Sequence, residues 1–96
     1  MQPLAHIGAQ VGVDGPPTVI AKGCASVTVN GLAVATVGSP IVPHKRYGAK
    51  RVHNGEVVVG SPTVFAEGKA VARVGSAMGN TCSGEVISGS PNVFVP

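Results

Sequence analysis

Val57-Val58-Val59-Gly60-Ser61-Pro62-Thr63-Val64-Phe65 returns as Val86-Ile87-Ser88-Gly89-Ser90-Pro91-Asn92-Val93-Phe94. A worn copy stands at Val19-Ile20-Ala21-Lys22-Gly23-Cys24-Ala25-Ser26-Val27. Self-similarity at this scale marks a repeat architecture and governs how every local signal is read. Working outward, Gly31-Leu32-Ala33-Val34-Ala35-Thr36-Val37-Gly38 returns as Gly68-Lys69-Ala70-Val71-Ala72-Arg73-Val74-Gly75, each pair of glycines seven apart. Gly23 to Gly31 and Gly60 to Gly68 are both eight steps. Pro3-Leu4-Ala5-His6-Ile7-Gly8 supplies the first copy, with Met1 where its opening glycine belongs. The spacing predicts one domain, 1–96, made of three units at 1–30, 31–67 and 68–96.

The 96 residues admit no second domain. Gly and Pro make up 22 of them, yet Val, Leu, Ile and Phe supply 26, enough apolar material for a core. The longest run without Gly or Pro is the seven residues Cys24 to Asn30, which leaves no room for an ordinary helix. Val outnumbers Leu 18 to 2, favouring pleated strands. The expected fold class is all-β. Asn30-Gly31 and Glu67-Gly68 then read as tight hairpin turns, pairing Ser26–Val29 with Leu32–Val37 and Thr63–Ala66 with Lys69–Val74. The chain ends, Asn92–Val95 and Pro3–Ile7, are expected to pair as a third, turnless hairpin and so close a pseudo-threefold body. With only three aromatic residues, such a core is thin and calls for a staple. Cys24 and Cys82 allow one disulfide at most, and without a secretory leader a metal or a partner is the better staple.

The irregular segment after the second glycine of each unit carries a possible metal ligand at a nearly equivalent place. These are Asp14, six after Gly8; His44, six after Gly38; and Cys82, seven after Gly75. The longer loop of the second unit ends at His53. Imidazole, thiolate and carboxylate suit Zn²⁺, and four protein ligands close a tetrahedral, structural site. Iron or another transition metal such as nickel fits the same donors. Asp14 also reads as an Asx turn, leaving His6 and water as other fourth ligands.

Other residues carry less. Cys24 aligns with Ser61 and Ser90 and reads as a small buried substitute. His6 aligns with Thr36 and Arg73 on the polar phase of its strand and reads as a surface histidine. Ser39-Pro40, Ser61-Pro62 and Ser90-Pro91 read as one recurrent architectural pair. Lys45, Arg46, Lys50 and Arg51 place four of the seven cations in seven residues, with Tyr47 as the single stacking ring.

The alternation of Ala70-Val71-Ala72-Arg73-Val74-Gly75 with Gly89-Ser90-Pro91-Asn92-Val93-Phe94 resembles the PAAR-repeat proteins. Ala70-Val71-Ala72-Arg73 stands where that family has Pro-Ala-Ala-Arg, with Pro3-Leu4-Ala5-His6 and Ala33-Val34-Ala35-Thr36 as further copies. The resemblance spans the chain, although the eponymous tetrapeptide is nowhere intact. It implies a small cone of short strands with a zinc near the apex, held by His44, His53 and Cys82. Asp14 stands where the first repeat usually offers histidine. The family's acidic residue after the repeat glycine is replaced by Ala9, Ser39 and Ser76. The implied role is a bare tip that caps and sharpens a membrane-piercing spike of a contractile injection machine, a type VI secretion system or a phage tail. The implied partner is the C-terminal end of a trimeric β-helical spike, VgrG-like or of a phage. One monomer sits on the trimer and meets the target-cell membrane in passing. A chain made in the cytoplasm without a signal peptide and delivered within the machine fits this role, which is not that of an enzyme.

Two other function classes compete. One is a free-standing zinc module touching nucleic acid through loop 45–51, which would bind with strong salt dependence. The other is a small hydrolase with an open zinc site and a water in place of Asp14; no paired acid and base supports it.

Overall fold

Asn30-Gly31 and Glu67-Gly68 both fold as turns with two successive positive φ angles, 52° and 80° in the first and 50° and 78° in the second. That backbone matches the right-handed twist of the flanking strands, so the chain reverses within two residues. The computed structural model describes residues 1–13, 18–45, 52–53, 55–80 and 84–96. Its strands begin with β1 (Gln2–Pro3), β2 (Gln10–Val13), β3 (Thr18–Val19), β4 (Cys24–Val29) and β5 (Leu32–Val34). The middle of the chain supplies β6 (His44–Lys45), β7 (Val52–His53), β8 (Gly55–Val57) and β9 (Phe65–Ala66). Then come β10 (Lys69–Ala70), β11 (Met78–Asn80), β12 (Gly84–Val86) and β13 (Phe94–Val95). The described residues form no helix, as the density of Gly and Pro requires.

The two turns join β4 to β5 and β9 to β10, with Val29 opposite Leu32 and Ala66 opposite Lys69. The chain ends make a third ribbon of the same kind, β1 antiparallel to β13, with Gln2 opposite Val95 and Pro3 opposite Phe94. The arms are shorter than the sequence suggests. Beyond Val34 and Val71 each strand leaves its hairpin partner, and the strands pair across the molecule through the bridges Leu4 to Arg73, His6 to Val34 and Thr36 to Val71. The switch is forced at Gly23, Gly60 and Gly89, which cross so close to the neighbouring strand that only hydrogen fits. A Cβ on Gly60 would lie 2.7 Å from the Val71 carbonyl oxygen, and one on Gly89 2.7 Å from that of Leu4.

At the centre, three amides close a ring. Ala5 donates to the carbonyl of Ala72 (2.9 Å), Ala72 to that of Ala35 (2.8 Å), and Ala35 to that of Ala5 (3.0 Å). All three alanines are fully buried. Methyl groups alone fit where three strands converge, since a larger side chain would have to displace backbone. Around the ring the core falls into sets of three. Leu4, Val34 and Val71 pack with Val29, Ala66 and Val95 beneath the ribbons. Val11, Ile41 and Met78 pack with Ile20, Val57 and Val86 on the side of the loop strands, in the same cluster as the alanines. There β2 pairs with β12 and β3, and β8 pairs with β11.

Three local expectations are corrected. Ser39 does not belong with Ser61 and Ser90. Its hydroxyl accepts the Thr36 amide at 2.9 Å, as that of Ser76 accepts the Arg73 amide at 2.9 Å. The Ser61 and Ser90 hydroxyls instead accept turn amides, those of Thr63 and Val64 and of Asn92 and Val93. Thr36 is buried and not on a wet face, because its strand crosses the core after switching partners. Cys24 is half-exposed and not a buried stand-in for serine. A register shift between Cys24 and Thr28 opens that corner, and its thiol turns to the Ser26 hydroxyl at 3.4 Å.

Candidate metal centre and exposed faces

The long loop of the second unit is framed by β6 and β7, which pair antiparallel with His44 directly opposite His53 and Lys45 opposite Val52. Opposed residues in an antiparallel ladder share one face at a Cβ separation of about 5 Å. Two imidazole-bearing residues therefore occupy one register position on one face. Asp14 and Cys82 lie outside the described residues, but the strands that lead to them are placed. Val13, just before Asp14, pairs with Gly84, two residues after Cys82. Asn80, two before Cys82, pairs with Gly55, two after His53. The backbone thus runs the segments holding Asp14, His53 and Cys82 out of adjoining ladders.

His6 sits at the level of the alanine ring, opposite Val34, with Nδ1 2.8 Å from the Ile7 carbonyl oxygen. Among the described residues it gathers no two further histidine, cysteine or acidic partners, nor does any other group of three form. The basic loop is placed only by its ends; residues 46–51 lie outside the described set.

Sequence reasoning missed a second feature. The ribbons expose apolar side chains: Val27 and Leu32 on β4–β5, Phe65 on β9–β10, and Phe94 with neighbouring Val93 on β1–β13. Phe65 is 60% exposed and Phe94 47%. The alternation carries the signal. In Val64-Phe65-Ala66 and Val93-Phe94-Val95 the last residue is buried, so the phenylalanine must face outward. The outward face is phenylalanine-bearing, whereas the ring alanines are enclosed.

Polar clasps join the ribbon ends to the glycine corners. The Ser26 hydroxyl donates to Glu67 Oε2 at 2.5 Å, and that of Ser90 donates to Asn30 Oδ1 at 2.6 Å. Hydrogen bonds from Ser26, then Cys24, with the charge of Lys69 as a smaller aid, hold the Glu67 carboxyl below the usual carboxylate range. A carboxyl lowered on folding adds stability above its unfolded pKa and loses it as pH falls through the folded value. Ser26→Ala is therefore expected to return the Glu67 carboxyl toward its ordinary titration, read by carbon-detected NMR, while leaving the fold intact. Unchanged titration would refute the clasp.

A family model described as PAAR motif matches residues 12–78 and again residues 47–96. No curated protein matches the chain.

Proposed function

The chain belongs to the PAAR-motif family, a structural family associated with spike tips of contractile injection systems, and on that premise we propose that it caps and sharpens a trimeric β-helical spike. The observation that carries the proposal is the set of three ribbons, each exposing large apolar side chains from one chain. One end of a threefold spike offers three identical faces, and a body with three similar ribbons meets them without a second copy of itself. Docking covers Val27, Leu32, Phe65, Val93 and Phe94 and removes the spike's unpaired strand ends from water.

At the other pole the loop segments bearing Asp14, His44, His53 and Cys82 hold a zinc ion, with iron or another transition metal fitting the same donors. His44 and His53 share a register position in β6 and β7, which supports their joint ligation. Bound there, the ion ties loops from all three units into one stiff point that meets the target-cell membrane in passing. The protein is not an enzyme in this reading, and reaches its target from the cytoplasm within a type VI secretion system or phage tail.

The test is binding of the purified protein to the C-terminal β-helix of its cognate spike. Phe65→Asp with Phe94→Asp is expected to weaken binding by at least tenfold, with little change in melting temperature because both rings are exposed. Equal binding by wild type and double variant would overturn the assigned face, and no binding by wild type would overturn the cap.

A further inference from the structure

Thr36 and Arg73 hold corresponding places. Each backbone amide donates to the serine three residues on, and each carbonyl accepts that serine's amide. The Arg73 guanidinium lies against its serine, Nη1 3.4 Å from Ser76 Oγ. Thr36 has no such reach, and its hydroxyl turns back to donate to the Val37 carbonyl at 3.2 Å. Where an arginine lies over one serine, a groove of about 220 Å³ stands open over the other, with Thr36, Ser39 and Cys24 among its lining residues. One wall is backbone, because Gly23 packs directly on the carbonyls of Ala33 and Val34.

The rim sets the ligand's charge. Lys22 and Lys69 border the groove with Glu67, leaving one net positive charge. Glu67 is engaged by Ser26 and also feels the charge of Lys69, and the two lysines are exposed and long enough to swing over the opening. Their counterparts in the unit alignment, Val59 and Ser88 for Lys22 and Gln2 and Leu32 for Lys69, are uncharged, so the pair of lysines belongs to this corner. We infer that this groove is a docking slot for an acidic segment of a partner protein, which seats one carboxylate between Lys22 and Lys69. A single carboxylate matches the net charge of the rim, whereas a doubly charged phosphate is undermatched. Charge complementarity of this kind steers encounter and fixes register more than it adds raw affinity. The inference does not depend on which face meets a spike.

The experiment uses the intact protein and a fluorescein-labelled peptide of alternating glutamate and glycine, followed by polarisation and by amide shifts of the isotopically labelled protein. Binding is expected with shifts at Gly23, Thr36, Gly38 and Lys69, weakening as salt screens the rim. Lys22→Glu with Lys69→Glu, both at exposed positions, is expected to weaken binding at least tenfold. Thr36→Met, which fills the groove without adding charge, is expected to do the same, and Thr36→Ser keeps wild-type binding. Absence of binding, wild-type affinity in the lysine double variant, or shifts confined to the flanks of loop 46–51 would overturn the slot. Displacement by inorganic phosphate at concentrations where acetate is equally effective would overturn its preference for carboxylate.

Discussion

Strong chelation is expected to lower the melting temperature of the metal-loaded protein by about 20 °C or more. A structural zinc contributes ~10 kcal/mol or more to the folding of small domains, and each kcal/mol moves the midpoint of a domain this size by about 4–8 °C. The magnitude follows from the thinness of the core. Among the described residues the fully buried side chains are no larger than isoleucine, valine and serine, and the central ring is made of methyl groups. The strands that lead to Asp14 and Cys82 and hold His44 and His53 are two to four residues long, and short two-stranded ribbons are marginally stable by themselves. In the proposed function a shared ion supplies the constraint that the strands do not. Cys82→Ser and His53→Ala are each expected to reproduce the loss, and neither variant should respond further to chelator. Asp14→Ala separates the alternatives for the fourth ligand, with a large loss if the carboxylate is bound and a small one if it only makes an Asx turn. Elemental analysis of the same preparation identifies the metal. A melting curve unmoved by chelator would refute the staple.

Gly60→Ala is expected to cost roughly 2–4 kcal/mol through overpacking against atoms that cannot yield, about 10–20 °C in midpoint. The added Cβ would meet the Val71 oxygen at 2.7 Å and the Ala70 Cβ at 2.8 Å. Both belong to the strand that runs on into the alanine ring, so relief requires moving the ring itself. Gly8→Ala is the informative control. Nothing lies within 4 Å of a Cβ there, yet φ is +84°, so the cost is the left-handed backbone alone, about 1 kcal/mol. Thermal or urea unfolding of the two variants separates steric closeness from backbone strain. Equal losses would show that the crossing at Gly60 is looser than the geometry requires.

Much of this architecture was legible in the residues. The recurring Gly-Ser-Pro segment and the glycine spacings exclude helix, give the two hairpin turns, and call for the chain ends to pair as β1 and β13 do. His44 and His53 were both candidates from position alone, and they prove to be opposite one another. Spacing says less about partners. Nothing in Leu32–Val37 or Lys69–Val74 announces that half of each arm leaves its hairpin to join the ring. The exposure of Cys24 was equally hidden, because it accompanies a register shift in β4, and the groove opens where threonine stands in place of another unit's arginine.

Turns, alternation and repeat length are properties of neighbouring residues, restricted by their own backbone sterics, and the sequence by itself determined them. Which strand pairs with which across the centre, which side of each ribbon faces water and where a side chain falls short of filling space were decided by the tertiary structure. Those outcomes depend on how closely segments thirty or more residues apart can approach. Three glycines without a Cβ and three alanines with only a methyl set that approach, and its consequences appear only once all three segments are in place.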